Sequence, residues 1–127
     1  VSTPADVAMP SGLRWEDHSL GIRSLLDYRK AILRAGDGQP DVVWSSSDAL
    51  NAVIGNWLAR SLKVPHVIDL YDDYEAFGLT RLPGLRRMLR NACKSASALT
   101  VVSGTLMETM RKRLRTSPVQ HLIPNGV

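Results

Sequence analysis

Four short apolar runs, each too far from the next to form a hairpin, constrain this 127-residue chain more than any other feature. They are DVVW at 41–44, VPHVIDL at 64–70, ALTVV at 98–102 and VQHLI at 119–123. Between them apolar residues recur at spacings of three and four. Leu50, Val53, Ile54, Trp57, Leu58 and Leu62 form one such set, and Leu85, Met88, Leu89, Ala92, Cys93 and Ala96 another. Ahead of the first run, Ile22, Leu25, Leu26, Ile32 and Leu33 mark a further helical face, closed by Gly36 and Asp37-Gly38. Strands joined through helices pair in parallel by right-handed crossovers, so the predicted fold class is α/β. It is a Rossmann-like parallel sheet of about four strands in sequential order, flanked by helices. Ser45, Ser46, Ser47 and Asp48 suit the cap of the helix after the first strand, and Thr105 with Glu108 reads as a capping box for the last helix. Residues 1–20, with Pro4, Pro10 and Gly12 and no period, read as an irregular N-terminal arm in which Trp15 packs, and 21–127 as the domain.

The composition, 44% apolar and 22% charged, is that of an ordinary soluble domain. Apolar runs reach about five residues, far short of the ~20 of a membrane helix, and no basic region followed by an apolar core opens the chain. The single cysteine, Cys93, excludes an intrachain disulfide and fits a cytoplasmic setting. The net charge of +4 is unevenly spread: residues 1–76 carry −4 and residues 77–127 carry +8. Arg86, Arg87, Arg90 and Lys94 fall on one face of a predicted amphipathic helix, and Arg111, Lys112, Arg113 and Arg115 end the next, where cations complement the helix dipole. This basic half points to an anionic partner, with a solvated helix face as the plain alternative. Nucleic acid is disfavoured, because no aromatic residue follows Phe77.

The chain is organised around Val64 to Glu75. Its first half reads as a buried strand, and its second half brings Asp69, Asp72, Asp73 and Glu75 to the carboxyl end of that strand, the rim where open α/β sheets bind ligands. Three roles suit these carboxylates: accepting bonds from sugar hydroxyls, holding a divalent cation, or capping a helix and solvating a loop. Ser103 stands at the same rim after the third strand, as a helix N-cap whose neighbouring N–H groups suit an anion. His18, His66 and His121 are too scattered for a metal set, so His66 and His121 read as core or edge residues, and Cys93 as a small core residue. Neither G-x-S-x-G nor a paired C-x-x-C occurs, which leaves hydrolase and zinc readings without a motif. A receiver-like regulatory domain would place Asp72, Asp73 and Ser103 in comparable positions. Ile123-Pro124, where such a domain has Lys-Pro, argues against it.

DVV followed by small polar residues, VP followed by an acidic loop, ALTVVS, and a terminal IPNGV form an ordered set. Together they resemble the second half of the N-terminal domain of GT-B glycosyltransferases of the family 4-like kind, over roughly residues 22–127. Many members place histidines after the first two of these strands, where this chain has Trp44 and Ser46, and Tyr71. The resemblance implies a partial domain of an enzyme that moves sugar from a nucleotide-sugar donor to a sugar or lipid-linked acceptor. It implies a metal-independent, retaining reaction with no cofactor, and a donor-binding C-terminal domain reached through a hinge at Asn125 and Gly126. Ser46, Tyr71, Asp72, Asp73 and Ser103 are the expected acceptor-side residues, and no catalytic residue is assigned. Arg86, Arg87, Arg90 and Lys94 are the expected anion or membrane surface, which would hold the protein peripherally at the inner face of a membrane. By itself the chain is expected to be inactive, and to form a homodimer through the unpaired edge of the strand carrying Val42 and Val43, through the uncovered face of the sheet, or through an exchanged N-terminal arm. The alternative is a non-enzymatic module that binds anions or membrane surfaces.

Overall fold

The computed structural model describes residues 24–35, 39–76, 82–116 and 118–124. The expected N-terminal arm with Trp15, Ile22, and the hinge residues Asn125 and Gly126 lie outside these. Among the described residues eight elements alternate: α1 (Ser24–Ala35), β1 (Val43–Ser45), α2 (Ala49–Leu62), β2 (His66–Leu70), α3 (Leu85–Ser95), β3 (Ala98–Val101), α4 (Gly104–Leu114) and β4 (Val119–Leu122). The four strands form one sheet in the order β1-β2-β3-β4, every pair parallel, as the spacing of the apolar runs predicts.

Local chemistry explains where each helix starts and stops. Asp48 caps α2, its Oδ1 accepting from the Asn51 N–H at 2.8 Å. At the other end Lys63 takes the left-handed conformation, so that its own N–H and that of Val64 return to carbonyls of the last turn. Gly84, at φ +85°, turns the chain into α3. The expected capping box at Thr105 and Glu108 is replaced by Ser103, whose Oγ accepts from the Leu106 N–H at 3.1 Å. That shift puts the first turn of α4 immediately after β3, and it leaves Glu108 two residues too late to complete a capping box. Glu108 instead pairs with Lys112 at 3.6 Å. The first strand also starts later than the apolar run: Val43 N–H bonds the Pro65 carbonyl at 2.9 Å, while Val42 stays exposed.

Alternation along the strands sorts the sheet into two faces. On one, Ile68 lies beside Leu99 and Leu70 beside Val101, each no more than 2% exposed. Against them pack Ala49 and Ala52 of α2, Leu85, Leu89, Ala92 and Cys93 of α3, and Leu106, Met110 and Leu114 of α4. Because α2 touches α3 and α3 touches α4, the three helices make a single layer over this face. Burial of each such side chain contributes about 1.5–3 kcal/mol. The small residues on the inner face of α2 let it approach closely, and Gly55 marks the limit: a Cβ there would sit 1.8 Å from Ser45 Oγ and 2.8 Å from His66 Nε2. The opposite face presents Trp44, Val67, Asp69, Ala98, Thr100, Val119 and His121. Trp44 and Val119, on its two outer strands, are 61% and 63% exposed.

Candidate functional site

The carboxyl ends of β1, β2 and β3 meet at one rim, and Asp69 is its centre. Register places Asp69 beside Thr100, and the Thr100 hydroxyl donates to Asp69 Oδ1 at 2.5 Å. From the residue just after β1, Ser46 donates to Oδ2 at 3.1 Å. One carboxylate therefore ties three strands together through both oxygens, with lone pairs left on each.

A second tie joins the same loops. Tyr71, just past β2, is exposed and donates its hydroxyl to the Ser47 carbonyl. Ser47 itself holds φ at +95°, a conformation that costs a non-glycine residue about 1–3 kcal/mol and persists only where its surroundings enforce it. Tyr74 stacks edge-on against Tyr71, ring centroids 5.6 Å apart, and its hydroxyl donates to the Asp69 carbonyl at 2.9 Å. Burial pushes the Tyr74 phenol above its ordinary range, so it stays a donor at every physiological pH.

The remaining carboxylates divide. Asp72 is exposed, and one of its oxygens accepts from the Asp73 N–H at 2.7 Å. Asp73 is gripped by both terminal nitrogens of Arg113, at 2.5 and 2.7 Å, from the far end of α4. The guanidinium bond outweighs the opposing effect of burial and holds the Asp73 carboxyl below its usual range. Glu75 is gripped in the same way by Arg90 of α3, at 2.8 and 2.7 Å, with Arg86 Nε at 3.9 Å. Such bidentate pairs fix geometry as well as charge. They anchor the acidic loop to the helix layer.

The expected acceptor-side residues Ser46 and Tyr71 thus fall together around Asp69, with Asp72 on the adjoining turn. Asp73 and Ser103 have structural partners of their own, Arg113 and the Leu106 N–H. Of the expected basic surface, Arg86, Arg87, Arg90 and Lys94 all lie on α3, but Arg90 is committed to Glu75. Thr100 joins the rim without having been singled out in the sequence, and Ser47, read there only as a helix-capping residue, joins it too; a threonine at the end of a buried strand was the available signal. His66, 3% exposed, lies under Gly55, its Nε2 2.9 Å from Ser45 Oγ, and burial lowers its pKa to about 4. Cys93 is fully buried, and burial pushes its thiol up to about 12. Neither faces the rim. Among the described residues no three of His, Cys, Asp and Glu converge as a metal-binding group, and no helix is long and apolar enough to cross a membrane.

Compared with known proteins, the chain matches the family model of the glycosyl transferase 4-like domain over residues 3–126. No curated protein and no solved structure gives a match.

Proposed function

The chain belongs to the glycosyl transferase 4-like domain family, and on that premise we propose that it supplies the acceptor side of an enzyme transferring sugar from a nucleotide-sugar donor. The observation that carries this reading is the Asp69 carboxylate, held between Ser46 and Thr100 at the rim with Tyr71 and Asp72 alongside. A sugar hydroxyl both donates and accepts. A fixed carboxylate with spare lone pairs accepts from a sugar O–H, and the Ser46 oxygen, whose own proton goes to Asp69, offers a further acceptor. The strain at Ser47 and the Tyr71 bond hold these groups in place before any ligand arrives, which lowers the ordering cost of binding.

In this reading the nucleotide-sugar is bound by a donor domain reached through a hinge at Asn125 and Gly126. The reaction proposed is retaining and needs no metal. The protein works in the cytoplasm, and a second copy of the chain covers the outer strand around Val42 and Val43.

Amide and methyl NMR of the chain, titrated with a panel of free sugars and separately with nucleotide-sugars, tests the assignment. Free sugars are expected to shift Ser46, Tyr71, Asp72 and Thr100, and Asp69→Asn to abolish those shifts with the rest of the spectrum intact. Shifts confined to the helix layer, or equal in Asp69→Asn, would remove the rim from the acceptor side.

A further inference from the structure

Alternation along β1 sends Ser45 under α2, and Trp44 before it and Ser46 after it to the face of the sheet turned away from the helices. Along β2 that face carries Val67 and Asp69, and the register sets Trp44 beside Val67. Ser46 then meets the Asp69 carboxylate. Trp44 therefore stands two residues, about 7 Å, before the polar centre of the rim and on the same side of the sheet. Tyr71 follows Asp69 at the other end.

Both aromatic side chains stand in water, Trp44 at 61% exposure and Tyr71 at 44%. Tyr71 is held at two points, its hydroxyl on the Ser47 carbonyl and its ring edge-on to Tyr74, so it offers a fixed surface. Among the described residues the four strands carry one carboxylate, Asp69, and no lysine or arginine. The turn after β2 adds the exposed Asp72. Aromatic rings beside hydroxyl and carboxylate groups, with no cation on the strands, suit a neutral sugar. The C–H side of a pyranose lies flat on the electron-rich face of an indole, while its hydroxyls bond to polar groups at the edge.

We propose that the acceptor is a neutral oligosaccharide, one ring of which hydrogen-bonds at Asp69 and Ser46 beside Tyr71 while the next stacks on Trp44. This names the substrate class of the rim and rests on its reading as the acceptor side. From Val67, the register partner of Trp44, to Tyr71 the chain advances four residues, about 13 Å when extended, more than a single pyranose spans. The carboxylates of Asp69 and Asp72 repel a sugar acid or sugar phosphate, so the class is uncharged. A second copy of the chain laid on this face would also cover Trp44. It would seal the Asp69 carboxylate from water with no cation on the strands to balance it, which is why the sugar is favoured.

NMR of the whole chain tests this, with the indole N–H of Trp44 assigned through Trp44→Phe. Glucose, mannose and N-acetylglucosamine are titrated beside their β-linked disaccharides. In at least one series the disaccharide is expected to shift the Trp44 indole and to bind about tenfold more tightly than the monosaccharide. Trp44→Ala is expected to remove that advantage and leave the monosaccharide shifts at Ser46 and Asp72 in place, with an unchanged circular dichroism spectrum. Trp44→Phe is expected to keep most of it, and glucuronic acid and glucose 6-phosphate to bind more weakly than glucose. Equal affinity for one ring and two in every series, or a Trp44→Ala chain that keeps the advantage, would overturn the stacking subsite while the acceptor reading of the rim stands. Absence of any sugar-induced shift at Ser46 and Asp72 would remove that reading, and the subsite with it. Loss of a dimer in Trp44→Ala by light scattering, with sugar binding unchanged, would also overturn the subsite and give the face to a second copy.

Discussion

Ser45 and Ser46 are consecutive, chemically identical and put to opposite uses. The alternation of the strand turns Ser45 under the helix layer, where it is 6% exposed and bonded to His66 beneath Gly55. It turns Ser46 the other way, to the open rim and the Asp69 carboxylate. The buried pair resembles a nucleophile and its base in composition. Closed over by α2, it can reach no substrate. Its partner-poor state is visible in His66 Nδ1, which has no hydrogen-bond partner and which only a neutral ring tolerates. The exposed serine has the longer bond and the accessible position. Burial, more than residue type, separates a structural hydroxyl from one available for recognition.

The contrast can be broken most forcefully on the helix-facing side. Ile68→Ala removes a fully buried side chain from the centre of the sheet and is expected to cost about 4 kcal/mol, read from urea unfolding. Next in size is a pH effect. His66 titrates near 4 in the fold and near 6.5 when unfolded, so between those values the unfolded chain binds more protons. Stability is therefore whole above the unfolded pKa and falls by about 3 kcal/mol as pH drops from 7 to 4. His66→Gln should flatten that slope; if it leaves the slope unchanged, the titration belongs elsewhere.

Gly55→Ala comes third. The added methyl collides with Ser45 Oγ, and about 2 kcal/mol should be lost, within the range of overpacked cores. Ser45→Ala removes the nearest atom, so in the double variant the two losses should add to less than their sum, which thermal melts of the four proteins would measure. Smallest of all is Ser46→Ala, expected to change stability by less than about 0.5 kcal/mol while weakening the sugar-induced shifts around Asp69. Were it to destabilise as much as Gly55→Ala, the two serines would be doing the same job.

Strands and helices were legible because their signals are local: Val67, Ile68 and Leu70 alternate or cluster within one element, and Leu85, Leu89, Ala92 and Cys93 repeat at helical spacing. The rim was legible only in part. Asp69 and Thr100 become neighbours through register, which depends on how two strands far apart in sequence are aligned. The acidic and basic halves, read separately, suggested a ligand for each. In the fold Arg113 reaches Asp73 across 40 residues and Arg90 reaches Glu75 across 15, so part of each charge satisfies the other. Pairing of that sort leaves no mark on periodicity. Ser103 against Thr105 is a case of competition, because either hydroxyl could begin the helix and the one closer to the strand leaves no unsupported turn.

The sequential strand order also bears on how the chain assembles. Register partners lie 23, 31 and 21 residues apart for the three ladders, so closing any one of them costs nearly the same entropy, within about 0.3 kcal/mol. Entropy does not choose among them. What each closure buries does: joining β2 to β3 brings Ile68, Leu70, Leu99 and Val101 out of water at once, whereas adding β4 brings Gln120 and a half-exposed Leu122. The middle unit is therefore expected to form first, with the outer strands as later additions. Amide protons of β4 should exchange through local openings well below the free energy of global unfolding, while those of β2 and β3 exchange only when the whole sheet comes apart.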